Sequence, residues 1–200
     1  MKEDVLEQIV DDYLKHEGFF TKHNVKFRPD VTHLEYDHRL DSGRSDIDVL
    51  AINPKIRKSS KNVWAVSCKS WQKGFNAQSI LRDLEILNPN ARRQNWQGYR
   101  ELVKPKWSKA FIDAVKANTG QDEFTYVIAA TKLIGSWAKE EAEVQWARNT
   151  TIAKALDGRP LKFLTLTDMW FAIADSATST PEASDIGRII QLLRAANIVG

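Results

Sequence analysis

The sequence contains very little cysteine and no long apolar run, and each shortage excludes a class of protein. Cys68 is its single cysteine, which excludes an internal disulfide and fits a reducing compartment. The longest apolar runs, such as VIAA and MWFAIA, are far too short to span a bilayer. The first residues are acidic and amphipathic, with no signal-peptide core. We therefore expect a cytoplasmic protein with no place in a membrane.

The sequence also lacks the motifs of several well-known chemistries. It has no GxxxxGK[ST] phosphate loop, no Rossmann glycine motif and no serine-hydrolase elbow. Its four histidines and one cysteine do not have the spacing of zinc ligands, such as H-x-x-x-H or C-x-x-C. These absences argue against a nucleotide-binding enzyme, a serine hydrolase and a zinc site.

The chain that remains has the composition of an ordinary globular protein. Of its 200 residues, 42% are hydrophobic and 28% are charged, which suits one domain with a sizeable core. We expect a core formed by residues 1–75 and 120–175, a helical insertion over 76–119 and a C-terminal helix over 180–197. The order of strands and helices predicts an α/β fold with a central mixed sheet flanked by helices.

Hydrophobic periodicity predicts the individual elements. Residues 4–17 carry a helical apolar stripe that Gly18 ends, and residues 76–117 read as helices broken at Asn88–Pro89 and Pro105. The strands are predicted in FFTKHNVKF, VTHLEYD, SDIDVLAIN, WAVSCKSW, FTYVIAATK and the start of LKFLTLTDMWFAI. AKEEAEVQWARNTTIAKALDG predicts one helix, and Thr180 is a plausible cap for the last.

The strand WAVSCKSW raises a question, because a lysine interrupts its apolar run. If Trp64, Val66 and Cys68 face one side of the sheet, Ser67 and Lys69 share the other. An ammonium group inside a sheet is costly unless an opposite charge meets it. The sequence must therefore supply a partner for Lys69.

Carboxylates of the preceding elements are the candidates for that partner. Asp46 and Asp48 are two residues apart in SDIDVLA, so strict alternation places both on one strand face, and Glu7 lies beside the apolar stripe of the first helix. A pair of carboxylates with a nearby lysine is what metal-assisted phosphodiester hydrolysis requires. In the simpler interpretation the aspartates cap strand ends or pair with arginines. Lys69 then protects an edge strand, and Glu7 favours the helix dipole.

A basic segment follows. Between residues 92 and 116 seven basic residues face only two acids, and aromatic rings lie among them. Cations hold phosphates and flat rings can stack on bases, which predicts a nucleic-acid surface; an equally weighted alternative is a solvated helix whose rings anchor it to the core. The residues of the predicted surface are Arg92, Arg93, Trp96, Arg100, Lys104, Lys106 and Trp107.

With Glu7 in EQIVDDYLKHEGF, Asp48 in SDIDVLA and Lys69 in VSCKSW, the chain resembles the PD-(D/E)XK nuclease superfamily. The resemblance extends through the later strand–helix–strand order to about residue 173. It implies a restriction-endonuclease-like fold and a DNA endonuclease that uses Mg²⁺, with Mn²⁺ as a substitute. By this resemblance Asp48 is the main metal ligand, Lys69 the catalytic lysine and Glu7 a supporting ligand. Many members of the superfamily are dimers, so a homodimer is one expected assembly.

The sequence departs from the superfamily pattern at Ser67, where a second carboxylate is expected. A serine hydroxyl is a poor Mg²⁺ ligand beside a carboxylate. In some restriction enzymes with S-x-K the acid lies on the following helix, and SILRDLEIL offers Asp83 or Glu85 there. The alternative is a site that has lost its activity, leaving a fold that binds nucleic acid or protein without cutting.

Overall fold

A five-stranded mixed sheet forms the centre of the computed structural model, which describes residues 4–84, 95–176 and 184–198. The strands are β1 (Phe20–Phe27), β2 (Ser45–Ile52), β3 (Val63–Lys69), β4 (Phe75–Asn76), β5 (Thr125–Ala130), β6 (Leu133–Ile134) and β7 (Leu161–Thr165). The helices are α1 (Val5–His16), α2 (His38–Asp41), α3 (Ala77–Leu84), α4 (Arg100–Val103), α5 (Pro105–Thr119), α6 (Lys139–Arg148), α7 (Thr150–Leu156), α8 (Leu166–Ser176) and α9 (Asp185–Ala195). A short 3-10 helix, Asn95–Gly98, precedes α4.

The central sheet has the order β1-β2-β3-β5-β7, and β4 pairs with β6 in a separate two-stranded sheet. β2 is antiparallel to both β1 and β3, whereas β3, β5 and β7 run parallel to one another. All six residues of β5 are buried, because helices cover both faces of a parallel sheet. The predicted α/β fold with a mixed sheet flanked by helices is confirmed.

Two hydrophobic cores cover the two faces of the sheet. On one face Leu6, Val10 and Leu14 of α1 pack against Val66 of β3 and Val127 of β5. On the other face a larger core joins the sheet to α3, α4, α5, α6 and α7, and it includes the residues Leu50, Ala65, Tyr126, Trp107 and Trp146. β3 thus contributes alternate residues to opposite cores, and Ser67 and Lys69 lie on the side of the larger one. In the part of the chain that the structure describes, every helix is too short or too polar to cross a membrane.

The strand predicted in VTHLEYD is wrong. Residues 31–37 form turns, in which Asp30 accepts hydrogen bonds from the amide and the hydroxyl of Thr32 at 2.8 Å. Asp37 then caps α2 by accepting from the Arg39 amide. Local hydrogen bonds to aspartate side chains compete with a strand ladder, so β1 takes the place beside β2.

Two helix boundaries also differ from the prediction. The helix expected over AKEEAEVQWARNTTIAKALDG is divided at Asn149, whose side chain accepts from the Thr151 and Ile152 amides to cap α7. The last helix begins at Asp185 and is capped by Ser184. Thr180 and the predicted break at Asn88–Pro89 lie outside the described residues.

A buried polar cluster attaches α2 to α5. Asp41 is 1% exposed, forms an ion pair with Lys106, and accepts hydrogen bonds from Trp107 Nε1 at 2.8 Å and the Asp37 amide at 2.9 Å. Burial raises the pKa of Asp41, but the hydrogen bonds from Lys106, Asp37 and Trp107 together hold it below its usual value. The ionised carboxylate therefore stabilises the fold.

We expect Asp41→Ala to lower the free energy of unfolding by about 3 kcal/mol at neutral pH, because Lys106 would lose its buried partner. The folded pKa of Asp41 lies below the unfolded value of about 3.9, so this stabilisation is present above that pH and disappears as the pH falls further. Urea unfolding at neutral pH and in acid measures both effects. Asp113→Ala is the matched control, since the Lys109–Asp113 pair is solvent-exposed and should contribute little. Equal losses in the two variants would contradict the prediction.

Candidate active site

Asp48 lies where β2 and β3 separate. The two strands pair from Val49–Val66 to Ile52–Val63. Next to the Val49–Val66 pair, the Asp48 side chain takes the role of hydrogen-bond acceptor that a backbone carbonyl has in a regular sheet. Its Oδ2 accepts a hydrogen bond from the Cys68 amide at 2.6 Å. This bond places Asp48 beside the end of β3, so Asp48 and Lys69 lie on adjacent strands, as predicted.

The alternation of β2 is interrupted at Asp48. Ile47 belongs to the larger core and Val49 to the core under α1, although strict alternation would put both on one face. Asn24, opposite Asp48 on β1, has a φ of +53°, and the pairing resumes on either side of it. Asp46 pairs with Lys26 at 2.5 Å. Because the change of face occurs at Asp48 itself, strict alternation does not decide whether Asp46 and Asp48 share a face, and that expectation stays a prediction.

Lys69 points away from α1 toward the segment before α4. Its Nζ lies 3.4 Å from the Gly98 carbonyl oxygen and 4.9 Å from the centroid of the Tyr99 ring. Burial raises the pKa of Asp48, and the positive charge of Lys69 opposes part of that rise. The ammonium thus meets a carbonyl and an aromatic face, and it acts on Asp48 through space.

Glu7 approaches Asp48 from the first turn of α1. Burial raises the pKa of Glu7, and the negative charge of Asp48 raises it further. Burial also raises the pKa of Asp48, against the Cys68 hydrogen bond and the charge of Lys69. Two carboxylates that repel each other in a partly buried place favour a cation between or beside them.

Glu101 is a residue of this region that the sequence analysis did not select. It is 7% exposed, and its Oε1 accepts a hydrogen bond from the Tyr126 hydroxyl at 2.6 Å. The Ser67 side chain in turn hydrogen-bonds to Tyr126, and the charge of Glu101 raises the pKa of Asp48. The buried carboxylate of Glu101 is therefore linked through the Tyr126 hydroxyl to Ser67, which stands where the second carboxylate is expected. No pattern in the sequence points to Glu101, because α4 is too short to show a helical period.

The two acids predicted to replace that carboxylate fare differently. Asp83 lies on α3 with 34% of its side chain exposed, and its Oδ1 is 3.6 Å from Arg82 Nε. Burial along α3 involves Ala77 and Leu84, so Asp83 lies beside the core-facing side of the helix. Glu85 lies outside the described residues.

The aromatic residues of the basic segment serve the core. Trp107 is fully buried and donates to Asp41, and Trp96 is 9% exposed. Neither ring has a free face for a base, so the prediction of base stacking by Trp96 and Trp107 is wrong. They pack because α5 and the 3-10 helix cover the larger core, which corresponds to the alternative interpretation of this segment.

The cations of the same segment are partly committed to protein contacts. Lys106 pairs with Asp41 and donates to the Glu35 carbonyl oxygen at 2.6 Å, with 11% of its side chain exposed, so most of this side chain serves the fold and its predicted role in DNA binding stays a prediction. The Arg100 guanidinium lies 4.5 Å from the Trp107 ring and Lys104 Nζ lies 4.7 Å from the Trp96 ring. DNA contacts by Arg100 and Lys104 remain predictions, and Arg92 and Arg93 lie outside the described residues.

The donor set around Asp48 is small. Within residues 4–84, 95–176 and 184–198, no three histidine, cysteine, aspartate or glutamate side chains are grouped closely enough to hold a metal ion. Mg²⁺, however, is usually bound through one or two carboxylates, with waters and substrate phosphates in the other positions. Asp48 with one neighbouring carboxylate therefore fits the requirements of Mg²⁺. These residues do not fit an ion whose ligands all come from the protein.

Comparison with known proteins adds no relative to this picture. The chain matches no protein-family model, no curated protein and no solved structure. The function must therefore be argued from the chemistry of the residues around Asp48.

Proposed function

We propose that the protein is a metal-dependent DNA endonuclease that hydrolyses phosphodiester bonds. The observation that carries this proposal is the arrangement at the separated ends of β2 and β3. There Asp48 is electrostatically coupled to Glu7 on one side and to Lys69 and Glu101 on the other. Carboxylates and one lysine around a strand end are suited to a divalent cation and an attacking water.

The finer description of the fold is part of the same proposal. A helix followed by three antiparallel strands and then parallel strands with intervening helices is the order expected for a restriction-endonuclease-like domain. The positions of Glu7 on α1, Asp48 on β2 and Lys69 on β3 agree with the resemblance to the PD-(D/E)XK superfamily. This agreement supports the proposal without establishing membership.

In this proposal Asp48 and Glu101 are the carboxylates that hold Mg²⁺, and Glu7 adds negative charge from α1. Glu101 takes the place predicted for Asp83, because its charge acts on Asp48 and it is linked to Ser67 through Tyr126. A bound Mg²⁺ or Mn²⁺ would neutralise charge on the phosphate and lower the pKa of a bound water.

The proposal gives each of the other side chains a specific role. Lys69 Nζ holds the attacking water by hydrogen bonding, and the Gly98 carbonyl and the Tyr99 ring restrict where the ammonium lies. The Cys68 amide fixes one oxygen of Asp48, which leaves the other oxygen for a cation. Tyr126 keeps Glu101 oriented by donating its hydroxyl proton to Oε1.

Cleavage assays test the proposal directly. The purified chain is incubated with supercoiled plasmid, linear duplex and single-stranded DNA, each with Mg²⁺, with Mn²⁺ or with EDTA. We expect strand breaks that require the metal, with 5′-phosphate or 3′-phosphate ends that labelled substrates distinguish. Absence of metal-dependent cleavage on all three substrates would refute the proposal.

The second candidate is a catalytically inactive nucleic-acid-binding or protein-interaction module on the same fold. Ser67 in place of an acid and the lack of a three-donor group among the described residues favour it. Such a module would bind its partner equally well with or without metal. Titration of the protein with Mn²⁺ separates the candidates, because only the proposed nuclease needs a metal site at Asp48.

A further inference from the structure

Trp71 is an exposed aromatic residue two positions after Lys69. Its side chain is 45% exposed, and its ring is stacked on Phe75 with an interplanar angle of 16° and a centroid distance of 5.5 Å. Phe75 itself is fully buried. One face of the indole therefore lies against the core while a large part of the ring remains accessible.

The turn that carries Trp71 is fixed at both ends. The Trp71 amide donates to the Lys69 carbonyl and the Gly74 amide donates to the Trp71 carbonyl, both at 2.9 Å. Gly74 has a φ of +94°, and a Cβ there would lie 2.8 Å from Ile134 Cγ2, so only glycine fits this close approach. At the other end Ser70 donates to Asp4, the cap of α1. The indole is thus held in place before any ligand arrives.

Aromatic contacts connect Trp71 to the candidate active site. Phe75, which lies under Trp71, contacts Tyr99 at a centroid distance of 6.4 Å. Lys69 Nζ lies 4.9 Å from the Tyr99 ring on the far side of this series. Lys73, in the same turn, is exposed and adds a second cation. Trp71 therefore lies near the place where a phosphate would meet Lys69. The two lysines beside it are positively charged and attract a nucleic-acid backbone.

We infer that Trp71 stacks on an unpaired nucleobase of the DNA strand whose phosphate is bound at Asp48 and Lys69. In a duplex both faces of each base are covered by neighbouring bases, so a fixed indole finds a free face only on an unpaired or terminal base. The inference rests on the proposed function and specifies its substrate: single-stranded DNA, an overhang or a junction. It also replaces Trp96 and Trp107 as the stacking residues.

Binding without cleavage measures the contribution of the indole. Fluorescence anisotropy in EDTA compares a labelled single strand with the matching blunt duplex. We expect Trp71→Ala to weaken single-strand binding about 10-fold, since stacking on one base contributes that much, and to change duplex binding much less. Trp71→Phe should retain most of the affinity because it keeps an aromatic face. Phe171→Ala is the matched control, as Phe171 is an exposed ring, 57% accessible, on α8.

A spectroscopic measurement reports stacking itself. A single strand containing 2-aminopurine should lose fluorescence when it binds the wild type and keep more of it when it binds Trp71→Ala. Equal single-strand affinities for the wild type and Trp71→Ala would overturn the inference, as would a wild type that binds no single strand.

The two proposals fail in different ways. If the wild type cuts DNA and Trp71→Ala binds and cuts it equally well, the stacking role is refuted and the proposed hydrolysis stands. If the wild type never cuts DNA, but Trp71→Ala binds single strands more weakly and quenches 2-aminopurine less than the wild type does, stacking is supported and hydrolysis is refuted.

Discussion

Asp48→Asn is expected to reduce DNA cleavage to the level of a reaction without enzyme. The amide oxygen of asparagine can still accept the Cys68 hydrogen bond, so the strand end keeps its shape. The loss of negative charge removes the main proposed ligand for Mg²⁺. Calorimetric titration with Mn²⁺ should accordingly detect no binding to this variant, while its unfolding midpoint stays close to that of the wild type.

Lys69→Ala should also stop cleavage, but through a different step. This variant loses the group that holds the attacking water, for which a cost of about 10²- to 10⁴-fold in rate is expected. It should still bind Mn²⁺. Asp46→Asn is the matched control from the same strand, because Asp46 is paired with Lys26, and it should keep most of the activity. If Asp48→Asn cuts DNA as well as Asp46→Asn does, Asp48 is not the metal ligand.

Glu101→Gln is expected to lower cleavage by at least about 100-fold, in the range observed when a group that acts on the reacting atoms is removed. Glutamine is similar in size and can accept the Tyr126 hydrogen bond, so the buried position tolerates it. Mn²⁺ affinity should fall as well, because one of two carboxylate ligands is lost. Asp83→Asn, the change at the acid chosen from the sequence, should have little effect on either measurement.

A second change identifies the role of Glu101. Ser67→Glu places a carboxylate on β3, next to Tyr126 and facing the same core, so it should restore Mn²⁺ binding and part of the cleavage to Glu101→Gln. A purely structural Glu101 would not be rescued in this way. If Glu101→Gln is fully active and Asp83→Asn is inactive, Asp83 and not Glu101 is the second carboxylate ligand.

The parts of the fold that could be predicted from the sequence are those in which a periodic apolar pattern meets a deep core. The stripe Leu6, Val10 and Leu14 predicts α1, which buries that one face, and the unbroken run TYVIAA predicts β5, which is buried along its whole length. VTHLEYD failed because aspartate side chains supplied local hydrogen bonds that a pattern of apolar residues does not register.

The candidate site could be predicted only where its residues lie on such elements. Asp48 and Lys69 were found because each interrupts a strand pattern with a charge. Glu101 was missed because the four-residue helix α4 has no period, and its burial depends on Tyr126, 25 positions away in sequence. For Trp107 the sequence leaves a nucleic-acid surface and a core anchor equally open, because its neighbours are basic and its contact with Asp41 comes from tertiary packing.

The change of face at Asn24 and Asp48 has a consequence for cooperativity. The antiparallel pair β1–β2 supplies Val25, Phe27 and Ile47 to one core and Val49 to the other. Neither layer of helices can detach without exposing apolar groups of the same strand pair, so local opening of one layer is coupled to loss of the other. Asp48 lies at this crossover. We therefore expect its carboxylate to take its position only in molecules with both layers docked, so that partly unfolded forms lack the site.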